Sequence, residues 1–125
     1  MFSLGVWREF TCQHALTGGD WGAENLPHAH HYRVELRLEG DQLDQHGFLA
    51  DITAVEAALA AALERYQDRL LNDLPEFAGR NPSTERLAQV LAETLQDRLT
   101  RPGLRALTVT VWESPSAWAA ARLEQ

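Results

Sequence analysis

A chain of 125 residues has the size of one ordinary domain and can bury a single core, so one domain over residues 1–125 is expected. The formal net charge is −7 and no Lys/Arg block or basic helix face interrupts it, which argues against nucleic acid or an anionic membrane surface as a partner. A single Cys makes no internal disulfide, no segment is long and apolar enough to span a bilayer, and no basic region followed by an apolar run opens the chain, so the cytoplasm is the expected compartment.

Phe2, Leu4, Val6, Phe10, Cys12 and His14 share one parity, broken only by Arg8. Alternate side chains of a strand point to opposite faces, so this pattern predicts a strand whose apolar face ends in His14. Residues 17–27 are loop chemistry, with three glycines, Asp, Asn and Pro and no period. The loop is long for a hairpin, and long loops inside compact domains are often functional. It holds Glu24.

The second strand starts at His28 and ends at Gly40. His28, His30, Tyr32, Val34, Leu36 and Leu38 form its apolar face; Ala29, His31, Arg33, Glu35, Arg37 and Glu39 form the other. Residues two apart on a strand point the same way, so His28 and His30 can close on one ion, and His31 cannot join them. Antiparallel pairing of the two strands brings His14 to the same end of the sheet. Imidazole is a common zinc ligand, and three histidines leave a fourth position open, as catalytic zinc sites do. The alternative is a half-buried His-x-His pair with no metal role.

Residues 41–47 are polar and turn-like, and Phe48-Leu49-Ala50-Asp51 leads into a helix. Thr53 with Glu56 three residues later fits a capping box. Val55, Leu59, Leu63 and Tyr66 recur at near-helical spacing, and the helix is expected to end between Gln67 and Arg69. Leu71 to Arg80 reads as a connection broken by Pro75 and Gly79. Ser83 is the expected N-cap of a second helix, with Glu85 in its first turn and an apolar stripe of Leu87, Val90, Leu91, Leu95 and Leu99 that Pro102-Gly103 stops. A third strand carries Leu107, Val109, Val111 and Glu113 on one parity. After a turn at Ser114-Pro115-Ser116, Ala117 to Leu123 forms a fourth strand. The expected fold class is α+β: a four-stranded antiparallel sheet with two helices on one face, in the order ββααββ. Glu113 ends an inward-facing run. Either the strand has reached solvent there, or the carboxylate anchors a ligand that offers an amino group beside a ring N–H.

Several runs carry a family resemblance. Phe10-Thr11-Cys12-Gln13-His14 is similar to Phe-x-Ala-Ala-His, and Pro27-His28-Ala29-His30-His31-Tyr32 to His-Gly-His-x-Tyr. Gly47-Phe48-Leu49-Ala50-Asp51-Ile52 is similar to Gly-Met-Val-x-Asp-Phe, and Leu71-Asn72 to the end of Leu-Asp-His-x-x-Leu-Asn. Asn81-Pro82-Ser83-Thr84-Glu85 is similar to Asn-Pro-Thr-x-Glu, and Val109-Thr110-Val111-Trp112-Glu113 to Val-x-Val-x-Glu. Together, in this order, they resemble the 6-pyruvoyltetrahydropterin synthase / 6-carboxytetrahydropterin synthase family. The resemblance implies the tunnelling fold and a homo-oligomer, usually a hexamer, with active sites between subunits. It implies Zn2+ on His14, His28 and His30, a pterin ring gripped by Glu113, and a pocket to which Ser83, Thr84 and Glu85 contribute.

The departures fall on the chemistry. The family's catalytic Cys lies four residues before the first His of His-Gly-His, a position held here by Glu24. Its Asp-His pair falls on Gln67 and Asp68, and no histidine follows His46. One branch of the family also has Glu at the Cys position. The resemblance therefore implies a zinc-dependent lyase acting on the side chain of 7,8-dihydroneopterin triphosphate or a related pterin, with Glu24 as base and Asp68 as a candidate partner acid. The alternative is a zinc- and pterin-binding homologue that has lost catalysis.

Overall fold

Alternating burial divides the sheet into two faces. In the computed structural model, which describes all 125 residues, Tyr32, Val34, Leu36 and Leu38 of β2 (His28–Gly40) are fully buried, while Arg33 and Arg37 between them are exposed. The same face takes Val6, Phe10 and Cys12 from β1 (Phe2–His14) and Leu107, Val109 and Val111 from β3 (Leu104–Ser114). β4 (Ala117–Glu124) turns Ala119, Ala121 and Leu123 inward and leaves Trp118, Ala120 and Arg122 exposed. Strand order in space equals chain order, β1-β2-β3-β4, and every neighbouring pair is antiparallel.

Both helices cover the apolar face. The helix α1 (Ile52–Glu64) lies against β1 and buries Val55, Leu59, Ala62 and Leu63. The helix α2 (Thr84–Leu99) lies against β3 and β4 and buries Leu87, Val90, Leu91 and Leu95, with Leu99 partly covered. The expected ββααββ layout, two helices on one face of a four-stranded sheet, is the observed one. No helix is long and apolar enough to cross a membrane.

Three local expectations are corrected. The cap of α1 is Asp51, not Thr53: the Asp51 carboxylate accepts the Thr53 N–H at 3.0 Å, and its carbonyl accepts the Val55 N–H. Both residue types cap well, and the helical turn closes from the earlier one. The end of α1 comes at Glu64 rather than near Gln67, because the next turn tightens: the Tyr66 N–H donates to the Leu63 carbonyl three residues back, and Arg69 to Tyr66 likewise. The connection from Leu71 to Arg80 holds two short 3-10 turns, Leu71–Asp73 and Pro75–Phe77, which bury Leu71 and Phe77.

The segment just before that connection, Gln67 to Arg69, covers part of the sheet edge. The Asp68 N–H donates to the Thr11 carbonyl at 2.7 Å, the Gln13 N–H to the Arg69 carbonyl at 2.8 Å, and the Thr11 N–H to Gln67 Oε1 at 3.3 Å. To deliver its N–H, Asp68 adopts a left-handed φ of 59°, which Asp tolerates better than most residues. The last turn of β1 is thus paired on both sides. Asp51→Ala should lower stability to chemical denaturation by about 1 kcal/mol, while Thr53→Ala should change it by less than about 0.5 kcal/mol. Equal effects would return the cap to Thr53.

Candidate active site

The register of β1 on β2 assembles the histidines. Pairing runs from Phe2 opposite Gly40 to His14 opposite His28, with Cys12 opposite His30. All three histidines therefore reach the inner face at one end of the sheet. His14 is buried, and His28 and His30 are half-buried. One ring nitrogen from each lies within 4.8 Å of the others, a grouping suited to a metal ion. His28 Nε2 is 3.0 Å from His14 Nε2 and 3.1 Å from His30 Nε2.

Two backbone carbonyls fix what these nitrogens can be. His14 Nδ1 lies 2.8 Å from the Pro82 carbonyl and His28 Nδ1 lies 2.9 Å from the Leu26 carbonyl. A carbonyl only accepts, so in both rings Nδ1 carries the hydrogen and the neutral ring presents a lone pair at Nε2. Lone pairs 3.0 Å apart repel unless a proton or a metal ion lies between them. Burial, and then the neighbouring His28 imidazole, hold His30 below the usual histidine range; burial does the same to His14 against the Pro82 contact that opposes it. A proton on His14 or His30 is therefore disfavoured, and the donor set fits a metal. A tetrahedron with metal–nitrogen bonds of about 2.0–2.1 Å has edges of about 3.3–3.4 Å, so the rings need only a small outward turn. His30 is held by flat stacking on Tyr32, with centroids 5.3 Å apart and planes 13° apart. His31 stands on the outer face, bonded to Thr11 Oγ1 at 3.1 Å.

Beside the histidines lies a cleft of about 240 Å³. Glu24, Ser83, Thr84, Glu85 and Glu113 line it together with His14 and His30. Glu24 sits in a 3-10 turn, Gly22–Asn25, that the loop pattern had not revealed, and its charge is felt by both His14 and His30. Glu113 occupies an irregularity of β3, where Trp112 pairs with Trp118 but Ser114 pairs with Ala117. Such a bulge re-aims a side chain, and here Thr84 Oγ1 donates to Glu113 Oε2 at 3.3 Å. Ser83 caps α2 as expected, accepting the Arg86 N–H at 3.1 Å. Asp68 is not among the lining residues; it stands on the outer edge of β1.

Cys12 is no substitute nucleophile. It is buried under the sheet face, and burial pushes its thiol up to about 12, so thiolate is scarce at neutral pH. Tyr32 is buried beside it; its hydroxyl reaches no partner at full hydrogen-bonding geometry, although Thr84 is close enough to interact. Sequence reasoning placed Asn72 and Asn81 in motifs but missed how they frame the site. Asn72 exchanges two 2.9 Å bonds with the backbone of Ala15, the residue after His14, and Asn81 Oδ1 accepts the Thr17 N–H at 2.9 Å. Asn in a loop signals a turn, but nothing in the local pattern specifies so distant a partner.

The geometry predicts that His14→Ala, His28→Ala and His30→Ala each strip metal from the purified protein, while His31→Ala retains it, as read by elemental mass spectrometry. Metal lost in His31→Ala and kept in His28→Ala would assign the site to the wrong face.

Residues 4–124 match the family model described as 6-pyruvoyl tetrahydropterin synthase. A 6-carboxy-5,6,7,8-tetrahydropterin synthase from Bacillus subtilis is 26% identical over 98 residues, which make up 78% of this chain and 65% of that protein's length. The chain therefore spans less than two thirds of that relative. The structure of Caenorhabditis elegans 6-pyruvoyl tetrahydropterin synthase superposes with a TM-score of 0.80 at 20% identity, covering 99% of this chain and 95% of that one. A Plasmodium vivax 6-pyruvoyltetrahydropterin synthase, in a variant whose catalytic glutamate is replaced by cysteine, superposes with a TM-score of 0.78 at 17% identity over all of both chains. At such identities the structures speak for the fold alone. With the family model spanning nearly the whole sequence, the chain belongs to the 6-pyruvoyl tetrahydropterin synthase family.

Proposed function

We propose that this protein is a zinc-dependent lyase that acts on the side chain of 7,8-dihydroneopterin triphosphate or a related pterin. The observation that carries the reading is a three-histidine cluster, two members of which line one cleft with Glu24 and Glu113. His14, His28 and His30 hold the metal, which when bound supplies a Lewis acid toward vicinal side-chain oxygens. Glu113 grips the ring edge by accepting two parallel N–H bonds, and Thr84 orients it by donating to the other side of the carboxylate. Ser83 and Glu85 complete that wall. Glu24 takes a proton at or near the ring-linked carbon of the side chain; a positioned carboxylate is competent for this. The Plasmodium vivax relative, whose catalytic residue is a glutamate, offers a precedent.

The second reading is a zinc- and pterin-binding homologue without turnover. It is favoured by the fate of the positions where the family carries Asp-His: the Gln67 side chain is committed to the Thr11 N–H, and Asp68 lies off the cleft. Any catalytic part for Asp68 is therefore played in the cleft of a neighbouring copy. Oligomerisation, to a hexamer in our reading, supplies that neighbour and covers the outer edge of β4 and the part of the β1 edge that residues 67–69 leave open, which are pairing templates. The cytoplasm, supported by the lone buried Cys, is the compartment we assign.

Incubating the zinc-loaded protein with dihydroneopterin triphosphate should yield a product with a shortened or rearranged side chain by mass spectrometry. Glu24→Gln should still bind pterin but turn over roughly 10²–10⁴ times more slowly. Glu113→Gln should weaken pterin binding at least about tenfold with metal content unchanged. A wild type that binds pterin through Glu113 and turns over none of it establishes the second reading. A sedimentation mass equal to one chain at micromolar concentration would remove the shared cleft.

A further inference from the structure

The loop between β1 and β2 holds an indole that neither the core nor the chemistry above uses. Trp21 lines the same cleft as His14, His30, Glu24 and Glu113, and 42% of it is exposed. Only two of the ten lining residues are apolar, Trp21 and Leu16. A large aromatic left open beside polar groups gives up burial that packing elsewhere would provide.

The loop is not loose around it. The Trp21 backbone N–H donates to Asn25 Oδ1 at 2.8 Å, and Asn25 Nδ2 donates to the carbonyls of Leu16 at 3.0 Å and Gly19 at 2.9 Å. The Leu16 N–H donates to the Glu24 carbonyl at 2.9 Å, so the main chain that carries the indole and the proposed base is set by one network. The ring lies across Gly19: a Cβ at that position would stand 2.7 Å from Cη2 and 3.1 Å from Cζ2 and Cζ3 of Trp21. Only glycine allows that approach. The indole is thus backed by main chain and still forms part of the cleft wall.

We propose that Trp21 is a substrate-binding residue whose indole packs on the face of a flat, bicyclic nitrogen heterocycle held at its edge by Glu113. The inference rests on the pterin reading of the cleft. A carboxylate that pairs with two N–H groups in the ring plane fixes one edge and leaves both faces bare. Stacking on an aromatic side chain covers a face without asking for further hydrogen bonds. Trp21 is the one aromatic residue in the lining besides the two histidines, and the close approach at Gly19 keeps it there.

The probe is unsubstituted pterin, which has no side chain for a metal to hold, titrated by calorimetry and by quenching of indole fluorescence. Trp21→Ala should weaken binding about tenfold or more and remove most of the quenching. Trp21→Phe should stay within about threefold of the wild type, since a ring remains. Gly19→Val, which keeps the indole but displaces it, should weaken binding in the same direction; circular dichroism checks that each variant folds, and the Phe and Val variants decide the matter if the Ala variant does not. Equal affinity in Trp21→Ala and wild type, with Glu113→Gln weakened, overturns the wall and leaves the pterin reading standing. A folded wild type that binds no pterin overturns both.

Discussion

The His28 ring nitrogen that faces those of His14 and His30 across about 3 Å imposes the constraint on which the rest of the site depends. The three cannot all be neutral acceptors at that distance without something positive among them. The Leu26 and Pro82 carbonyls prevent the rings of His28 and His14 from relieving the conflict by changing tautomer, because each holds an Nδ1 hydrogen in place. Burial resists the remaining escape, protonation, at His14 and His30. A bound cation would satisfy every one of these groups, and the sheet register that opposes His14 to His28 brings them together.

One short segment ties that cluster to the rest of the cleft. Asn81 secures the loop through Thr17, Pro82 orients His14, Ser83 starts α2, and Thr84 reaches Glu113 on β3. Four residues thus connect the loop, the metal candidates and the Glu113 carboxylate to the start of one helix. Functional groups carried on strands and a helix start are held more closely than groups on free loops. Glu24 is the exception, since it rides on the loop. Its position depends on the Asn25 and Leu16 bonds rather than on a strand ladder.

Much of this was legible because the sheet buries one face only. A period of two then marks the inner residues, and His14, His28, His30 and Glu113 all fall on it. The helical stripes of α1 and α2 were readable for the same reason. What stayed hidden depends on contacts between distant parts of the chain. The Asp51 cap could not be told from Thr53 because both residue types serve. The bulge at Glu113 depends on pairing with β4, and the left-handed turn at Asp68 on docking against β1. The roles of Asn25, Asn72 and Asn81 lie in their partners, which local pattern does not name.

The most direct test of the account is the first coordination shell of the metal in the zinc-loaded protein, read by X-ray absorption at the zinc edge. Three imidazoles on one sheet face predict nitrogen and oxygen scatterers alone, at about 2.0–2.1 Å, with the outer-shell pattern of three imidazole rings. A sulfur scatterer at about 2.3 Å would mean that Cys12 leaves the core to bind, and an oxygen-only shell would mean that the histidines do not bind at all; either result contradicts the account.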